Sequence, residues 1–386
     1  MSNLVKLYSP FDMEISHGQG CYIYDVEGNG YLDMFSGIGV NVLGYGDEDV
    51  QTAISEKLNR YIHLSNFFVD PQAEKVAQKL CSHFDPGGGV IFSNSGTEAN
   101  EAAIKLLRKN DPSKKIVVAF EKSFHGRTMG SLSITGKSVI TRDFKPLVPN
   151  VKILPFHDSE LVSGFLKKHG SEISGVILEF IQGAGGVVEV DPHIIDLLDK
   201  SREKFKFCIV ADEIQSGLGR TGKFFAFQHY NFQPDIITIA KALGGGLPLG
   251  AVLISEEYKH IFKPGDHGST FAPNPLALSA AMVVLSKINK ALMEQVEQLG
   301  NYARNFLQKN LPPSCVVRGK GLMIGVKTPV NSLSIKQKCF ERKMLINTLG
   351  EDLVRLLPPL VIDKNTLGVG LELLCEVVRT LMNQTK

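Results

Sequence analysis

The sequence predicts an α/β fold in which helices cover both faces of a mostly parallel β-sheet. The first observation is a series of short apolar runs, rich in Val and Ile and bounded by Gly, Pro, Asn or Asp. Runs of this kind, without polar alternation, are typical of strands buried on both faces. The second is that longer segments with helical spacing separate several of these runs. The third is the presence of 37 glycines, often clustered, which permit tight turns and close approach of the backbone to a ligand.

A β-hairpin is predicted near the N-terminus, where Cys21–Asp25 alternates in polarity, Glu27–Gly30 is turn-like and Tyr31–Asp33 continues the pattern. Helical spacing predicts helices over Pro71–His83 and Thr97–Arg108. The predicted strands of the central sheet are Val90–Ser93, Ile116–Phe120, Gly175–Phe180, Phe207–Ala211, Ile236–Ala240 and Gly250–Ile254.

The C-terminal part of the chain has a different character. A helical stretch runs from Pro275 to about Leu311 with a break expected near Gly300, and an α+β region then ends in a helix near Leu371–Met382. We therefore predict a large domain over residues 51–275 and a smaller α+β domain over residues 276–386. Residues 1–50 are predicted to form an N-terminal segment that packs with the smaller domain.

Composition and charge exclude several classes of function. The 42 Lys and Arg residues nearly balance the 40 Asp and Glu residues, which leaves no basic surplus for nucleic acid. No apolar run is long enough to span a bilayer, and the N-terminus lacks the apolar segment of a secretory signal. Six cysteines without a C-x-x-C pair indicate reduced thiols. We therefore expect a cytoplasmic protein with neither a nucleic-acid nor a membrane partner.

Other common sites are poorly supported. Gly217–Gly222 matches G-x-G-x-x-G and with Lys223 approaches a P-loop, but Phe224 stands where magnesium binding needs Ser or Thr. Residues 212–216 also separate this segment from the preceding strand. The ten histidines show no metal-ligand spacing, and no serine has the flanking glycines of a nucleophile elbow. We expect no metal site.

A lysine and an aspartate at strand ends form the most informative pattern. Asp212 follows the strand Phe207–Ala211, and Lys241 follows the strand Ile236–Ala240 and precedes three glycines. In open α/β sheets, ligands bind at this end of the strands. Alone, Lys241 is better explained as a lysine that extends its amine to water. Together, the two residues supply the Schiff-base amine and the pyridinium partner that pyridoxal phosphate requires.

A phosphate site is predicted at Asn94–Glu98, which follows a strand and opens a helix. An ordinary helix cap formed by Ser95 or Thr97 explains the same residues without a ligand. The segment Phe124–Arg127 adds an aromatic ring and a guanidinium close together.

With these motifs the chain resembles the class III (ornithine/acetylornithine-type) aminotransferases. That resemblance implies pyridoxal-phosphate fold type I, with the cofactor in the large domain. Seven motifs in the family's order carry the resemblance: Asn94–Glu101, Ser123–Thr128, Glu179–Gly183, Asp212–Gly217, Ala240–Gly246, His267–Phe271 and Arg355–Leu360.

The resemblance implies the cofactor-binding residues. Lys241 would form the Schiff base and move the proton, and Asp212 would pair with the pyridinium nitrogen. The other implied contacts are Gln215 near the ring oxygen, Phe124 on the ring face, and Gly96, Thr97 and the neighbouring subunit's Thr270 at the phosphate. A homodimer with shared active sites follows from that last contact.

The resemblance also implies substrate-binding residues. Arg127 would bind the α-carboxylate of the amino donor, and Arg355 the carboxylate of glutamate or 2-oxoglutarate. Ser269 would lie near the substrate, and Glu179 is expected to be a further residue of the substrate site.

The expected activity is transfer of an amino group from an acetylornithine-like donor to 2-oxoglutarate by a ping-pong mechanism, as in arginine biosynthesis. Ornithine, succinylornithine or 4-aminobutyrate are alternative donors. Two other hypotheses are a pyridoxal-phosphate enzyme that catalyses a different reaction and a non-catalytic relative. Arg355 argues against a mutase, and Lys241 argues against a non-catalytic protein.

The motifs also depart from the family pattern. Ala184 replaces a glutamate that in relatives resembles a gate for the equivalent of Arg355. Ala272–Pro273 replaces Gly-Gly, and Tyr45–Glu48 replaces His-x-His-Pro. Two interpretations of Ala184 stay open: an Arg355 left without its carboxylate, or an Arg355 paired with Glu179 or another acid.

Overall fold

A seven-stranded mixed sheet forms the centre of the structure, a computed structural model that describes residues 3–384 of the chain. The strands are β1 Ile15–Gln19, β2 Tyr22–Asp25, β3 Gly30–Asp33, β4 Gly89–Ser93, β5 Ile116–Phe120, β6 Val151–Leu154, β7 Ile173–Leu178, β8 Ile181–Gln182, β9 Val188–Glu189, β10 Cys208–Asp212, β11 Ile236–Ile239, β12 Gly250–Ile254, β13 Val316–Lys320, β14 Met323–Lys327, β15 Met344–Leu345, β16 Asn347–Leu349 and β17 Leu353–Leu356.

Helices pack around this sheet. They are α1 Ser36–Gly39, α2 Glu48–Leu58, α3 Pro71–Cys81, α4 Gly96–Asn110, α5 Met129–Ser133, α6 Ser138–Thr141, α7 Ser159–His169, α8 Pro192–Phe205, α9 Pro275–Lys287, α10 Lys290–Asn310, α11 Ser332–Glu341 and α12 Lys364–Gln384. Short 3₁₀ turns occur at Arg142–Phe144, Gly170–Glu172, Ala226–His229 and Lys241–Gly244.

The central sheet has the strand order β4-β12-β11-β10-β7-β5-β6. Only β12 runs antiparallel to its neighbours, and the other adjacent strands pair in parallel. Every residue of β5, β7, β10, β11 and β12 is buried, because these apolar strands are covered on both faces. The predicted α/β class with a mostly parallel sheet is therefore confirmed.

One strand of this sheet was absent from the sequence prediction. Strand β6 lies at the edge, pairs only with β5, and exposes Lys152 and Ile153 to solvent. An edge strand needs no continuous apolar run, since part of its surface remains in water. Its four residues therefore do not stand out in the sequence.

The predicted helix break near Gly300 is wrong. The long stretch divides at Ile288–Asn289, where the Asn289 side chain accepts a hydrogen bond from the backbone N–H of Leu292 and begins α10. Gly300 lies inside α10, where a Cβ atom would stand 2.2 Å from the carbonyl oxygen of Gly321. Glycine at this position permits close packing of the helix on a loop and does not interrupt the helix.

The two ends of the chain meet in a second sheet. Strands β2 and β3 form the expected hairpin, with Tyr22 opposite Leu32, and β3 pairs in parallel with β15 from the C-terminal region. A further antiparallel sheet has the order β13-β14-β17-β16 and carries Arg355 on β17. The division of the chain at residues 50 and 275 stays a prediction.

The topology collects chemical groups at one edge of the central sheet. Because β5, β7, β10 and β11 are parallel, their carboxyl ends lie on the same side, and α4 begins just after β4. Within residues 3–384, no single helix is long and apolar enough to cross a membrane. Helices α9 and α10 reach that length and composition only as a pair, and a bend of 71° separates them.

Candidate active site

A cavity of about 460 Å³ opens where these strands end. Eight of the residues predicted from the sequence line it: Gly96, Thr97, Phe124, Arg127, Glu179, Asp212, Gln215 and Lys241. The other three predicted residues, Ser269, Thr270 and Arg355, do not line it. The strand ends thus bring together residues as far apart in sequence as Gly96 and Lys241.

Lys241 reaches the cavity from the turn after β11. Its backbone has φ +39°, a left-handed conformation that is uncommon for a residue other than glycine and is found most often at functional sites. Burial, assisted by the positive charge of Arg355, lowers the pKa of the Lys241 amine to about 8, although Asp212 and Glu179 act in the opposite direction. A neutral, nucleophilic amine is therefore accessible near physiological pH.

Asp212 is held by two buried polar side chains. Its Oδ2 accepts hydrogen bonds from Asn100 Nδ2 at 2.9 Å and from His125 Nδ1 at 2.6 Å. Burial acts to lower the pKa of His125, but the hydrogen bond and negative charge of Asp212 prevail and raise it. Thr238 completes the chain by donating to Asn100 Oδ1 at 2.9 Å. The network fixes the position of the carboxylate.

Sequence reasoning assigned no role to Asn100 or His125, although both stand in motifs that carried the family resemblance. Asn100 is a fully buried polar residue among the alanines of α4. A polar residue on an apolar helix face needs a hydrogen-bond partner, and that pattern could have indicated its role from the sequence. The pairing of His125 with Asp212 spans 87 positions and has no local signature.

The N-terminus of α4 has the form of a phosphate site. Ser95 caps the helix by accepting a hydrogen bond from the backbone N–H of Glu98, while Gly96 and Thr97 are the first two residues of a 15-residue helix. The first N–H groups of a helix lack intrahelical partners, and together with the helix dipole they favour an anion. A Cβ atom on Gly96 would lie 2.7 Å from the side chain of Ile214, so this close approach requires glycine.

Phe124 and Arg127 also line the cavity. The guanidinium of Arg127 lies 5.7 Å from the centre of the Phe124 ring and is exposed at the mouth. An amine, a carboxylate, an aromatic face and a helix N-terminus thus surround one space. These donors fit the aldehyde, pyridinium ring and phosphate of pyridoxal phosphate.

Glu179 connects two backbone segments of the wall. Its Oε1 accepts a hydrogen bond from the backbone N–H of Phe124 and its Oε2 from that of Gly183, each at 2.8 Å. Burial raises the pKa of Glu179, and the charge of His125 partly opposes that shift. Both carboxylate oxygens are therefore already bonded to the protein.

Arg355 lies just behind the cavity, 3% exposed. Its Nε and Nη2 donate to Asn347 Oδ1 at 3.1 and 2.7 Å, and its Nη1 donates to Gln215 Oε1 at 2.9 Å. Within residues 3–384, no carboxylate forms an ion pair with Arg355. Burial lowers its pKa to about 10, opposed by the charge of Glu179. Asn347, which the sequence analysis did not identify, is thus the main partner of this guanidinium.

Ser269 and Thr270 lie on an outer loop beside the cavity. Ser269 Oγ accepts a hydrogen bond at 3.1 Å from Asn94 Nδ2, and Asn94 lines the cavity. Thr270 is exposed. Ser269 is therefore separated from the cavity of its own subunit by one side chain, whereas Thr270 faces solvent.

The glycine-rich segment Gly217–Gly222 has a different environment from a nucleotide loop. Its Arg220 is 1% exposed and donates from Nη1 to the carbonyl oxygens of Leu322 and Pro358. This segment therefore joins the central sheet to the C-terminal region. Among the described residues, no group of three or more His, Cys, Asp or Glu side chains could hold a metal ion.

Comparisons with known proteins agree with this geometry. The sequence model described as aminotransferase class-III matches residues 6–378. The acetylornithine aminotransferase of Aquifex aeolicus is 41% identical over 98% of this chain and 100% of its own length. That of Lactococcus lactis subsp. lactis is 40% identical over the same shares of the two chains.

Solved structures show the same fold. The ornithine aminotransferase of Toxoplasma gondii ME49 superposes with a TM-score of 0.93 at 26% identity, over 99% of this chain and 94% of that one. The acetylornithine aminotransferase of Elizabethkingia anophelis gives a TM-score of 0.85 at 28% identity, over 98% and 96%. The chain therefore belongs to the class III aminotransferases, a family of pyridoxal-phosphate-dependent enzymes.

Proposed function

We propose that this aminotransferase moves an amino group from an acetylornithine-like donor to 2-oxoglutarate by a ping-pong mechanism, as a step of arginine biosynthesis. The observation that carries the proposal is Arg355, a buried guanidinium beside Lys241 whose hydrogen-bond partners are neutral amides. A dicarboxylate acceptor supplies the anion that this guanidinium lacks. The names of the curated relatives support acetylornithine as the donor.

Pyridoxal phosphate, when bound, supplies an aldehyde that captures amines and a ring that withdraws electrons. The N-terminus of α4 at Gly96 and Thr97 would hold its phosphate, and Phe124 would pack on its ring. Asp212, held in position by His125 and Asn100, would pair with the protonated ring nitrogen.

Lys241 is the residue that would exchange with the donor amine and then carry the substrate proton at Nζ. Its pKa of about 8 suits both tasks, since a fully protonated amine is neither nucleophilic nor basic. The cavity wall shields this amine from bulk water, which favours proton return to the substrate.

Two guanidiniums are available for substrate carboxylates. Arg127, exposed at the mouth, would bind the donor's α-carboxylate, and Arg355, deep behind Gln215, would bind the acceptor's. Reaching Arg355 requires the substrate to replace the hydrogen bond from its Nη1 to Gln215.

Ala184 lines the cavity at the position where the family pattern resembles a glutamate gate. Glu179 is an unfavourable substitute for that gate, because both of its oxygens already accept backbone hydrogen bonds. These contacts support the reading in which Arg355 stays open to an anionic substrate. Strong binding of glutamate and 2-oxoglutarate is then expected.

An apolar surface beside the site supports a homodimer. Residues 62–69 and 269–274 are tied together by hydrogen bonds from Asn66 and Asn274, and they expose Phe67 at 97% and Phe271 at 65%. Exposed aromatic groups of this kind mark interfaces. A second copy covering this surface would bring its Thr270 to the phosphate site. The six free cysteines are consistent with a reducing compartment such as the cytoplasm.

A donor screen with 2-oxoglutarate as acceptor tests the activity. We expect an acetylornithine-like, N-acylated ornithine to be the best donor. Borohydride reduction of the holoenzyme should attach the cofactor to Lys241, found by peptide mass spectrometry. Lys241→Ala should have no turnover. Attachment at another lysine, or no transamination of any ω-amino donor, contradicts the proposal.

Assembly has a separate test. Mixing Lys241→Ala and Thr270→Ala subunits should change activity in proportion to hybrid formation. Full activity in a monomer, measured by sedimentation at the assay concentration, would exclude the shared site.

A further inference from the structure

We propose that a second cavity beside the active site binds an anionic group, a carboxylate or phosphate, carried at the far end of the amino donor. The inference rests on the proposed function for the identity of the donor. This cavity measures about 600 Å³ and shares one wall residue, Ala184, with the active-site cavity. Lys137 and Arg318 line it.

The two cationic side chains converge on a single turn. Lys137 Nζ donates to the carbonyl oxygen of Ala184. Arg318 lies over Gly186, where a Cβ atom would stand 2.8 Å from its Nη2. Gly186 also has φ +113°, a conformation that favours glycine, so the turn leaves room for the guanidinium.

Neither cation has a carboxylate partner among the described residues. Arg318 Nε is buried without a hydrogen-bond partner, and no carboxylate of residues 3–384 lies within 4.0 Å of either head group. Burial lowers the pKa of both side chains, and the more distant charges of Glu179 on Lys137 and of Asp352 on Arg318 only partly oppose that shift. An anion in the cavity would satisfy both groups, and the guanidinium can bind it through two parallel hydrogen bonds.

The remaining charged groups on the cavity wall do not supply this anion. Asp352 attracts Arg318 from a distance but forms its ion pair with Lys327, at 3.4 Å and exposed to solvent. Glu121, Lys122 and Asp158 also line the cavity and form no salt bridge to Lys137 or Arg318. Lys137 and Arg318 are therefore two cations without a salt bridge, at the turn that contains Ala184 and Gly186.

The position of Lys137 connects this cavity to catalysis. Its amine interacts electrostatically with Glu179 and Arg127, which line the first cavity, and with Arg355 just behind it. Because Ala184 lines both cavities and has a small side chain, a long donor whose amine meets Lys241 would extend past Ala184 toward Lys137. A glutamate at position 184 would place a carboxylate beside Lys137 and compete with that end of the donor.

The test compares two donors that differ only at the acyl end, N-acetylornithine, which is neutral there, and N-succinylornithine, which carries a carboxylate. In Lys137→Gln and Arg318→Gln we expect kcat/KM for the succinyl donor to fall by about 10-fold or more, and that for the acetyl donor by less than twofold. Lys137→Arg should restore the succinyl rate. Lys327→Gln, which removes a cation already paired at the rim, is the matched control.

Binding of free succinate and of inorganic phosphate, measured by calorimetry on the wild-type holoenzyme and on each variant, separates the two parts of the argument. Anion binding that depends on Lys137, without any donor transamination, supports the site while contradicting the proposed function. Anion binding that depends on Lys137, with equal effects on the acetyl and succinyl donors, contradicts a role in donor binding and assigns the site to a free anion. Equal effects on both donors, together with anion binding unchanged in Lys137→Gln, would overturn the proposal.

Discussion

Replacing Asn347 by Asp tests how Arg355 recognises its substrate. The substitution exchanges an amide for a carboxylate of the same shape, at the point where Nε and Nη2 of Arg355 already donate to one oxygen. The guanidinium then has an internal counter-ion at 2.7–3.1 Å. A substrate carboxylate would have to compete with that ion pair.

The size of the effect follows from burial. Arg355 is 3% exposed, so solvent would not screen the new ion pair as it screens pairs at the surface. Hydrogen bonds to charged groups contribute about 1.5–3 kcal/mol. Loss of one such interaction with the substrate corresponds to a decrease of about 10- to 150-fold in kcat/KM.

The assay measures the two half-reactions separately. Stopped-flow absorbance follows the reaction of the holoenzyme with glutamate, and in parallel with a donor that has no carboxylate near Arg355. We expect the loss for glutamate and 2-oxoglutarate to appear mainly in KM, with the other donor changed by less than threefold. Asn347→Ala is the control, because it removes the same two hydrogen bonds without adding a charge.

Two results would refute this reasoning. Equal losses in the Asp and Ala variants would show that the neutral hydrogen bonds matter and the charge does not. Equal losses for both donors would show that position 347 supports the site without discriminating between substrates.

Three further predictions follow from other parts of the structure. Asp212→Ala should lower turnover by several orders of magnitude yet retain some cofactor by absorbance, because it leaves the helix N-terminus at Gly96 intact. Ala184→Glu should shift the kcat/KM ratio away from glutamate and toward acetylornithine, and an unchanged ratio would mean that residue 184 does not gate Arg355. Glu213 is 1% exposed, and burial raises its pKa from 4.5 to about 7. Between these two pH values the folded state keeps a proton on Glu213 that the unfolded state releases. The free energy of unfolding therefore falls as pH rises from about 4.5 to 7, by about 3 kcal/mol for this one group. In Glu213→Gln that decrease should be absent, which the pH dependence of the urea midpoint measures.

Local patterns made much of the fold predictable. Five of the six predicted strands belong to the interior of the sheet, where burial on both faces demands a continuous apolar run that is visible without knowledge of the neighbours. Edge strand β6 and the division between α9 and α10 were not predicted correctly. An edge strand is only partly buried, and a helix start can depend on a single capping side chain. Neither feature produces a long pattern in the sequence.

The candidate site divides in the same way. Asp212 ends a strand, and Lys241 and α4 each follow one. Because parallel strands end at one edge, the meeting of these groups was predictable from the order of the elements. The partners that tune these groups were not predictable. Asn100 and His125 reach Asp212 across 112 and 87 positions, and only the packed fold determines that contact.

The sequence by itself thus determined the class of fold, the residues at its strand ends and the chemistry they support, because periodicity and residue type are local properties of a chain. The tertiary structure alone decided which neighbour each charge has. It gave Arg355 an amide partner in place of a carboxylate, and it placed Lys137 and Arg318 on the same turn. Electrostatic energies depend on distance and on burial, and both are set by packing between segments far apart in sequence.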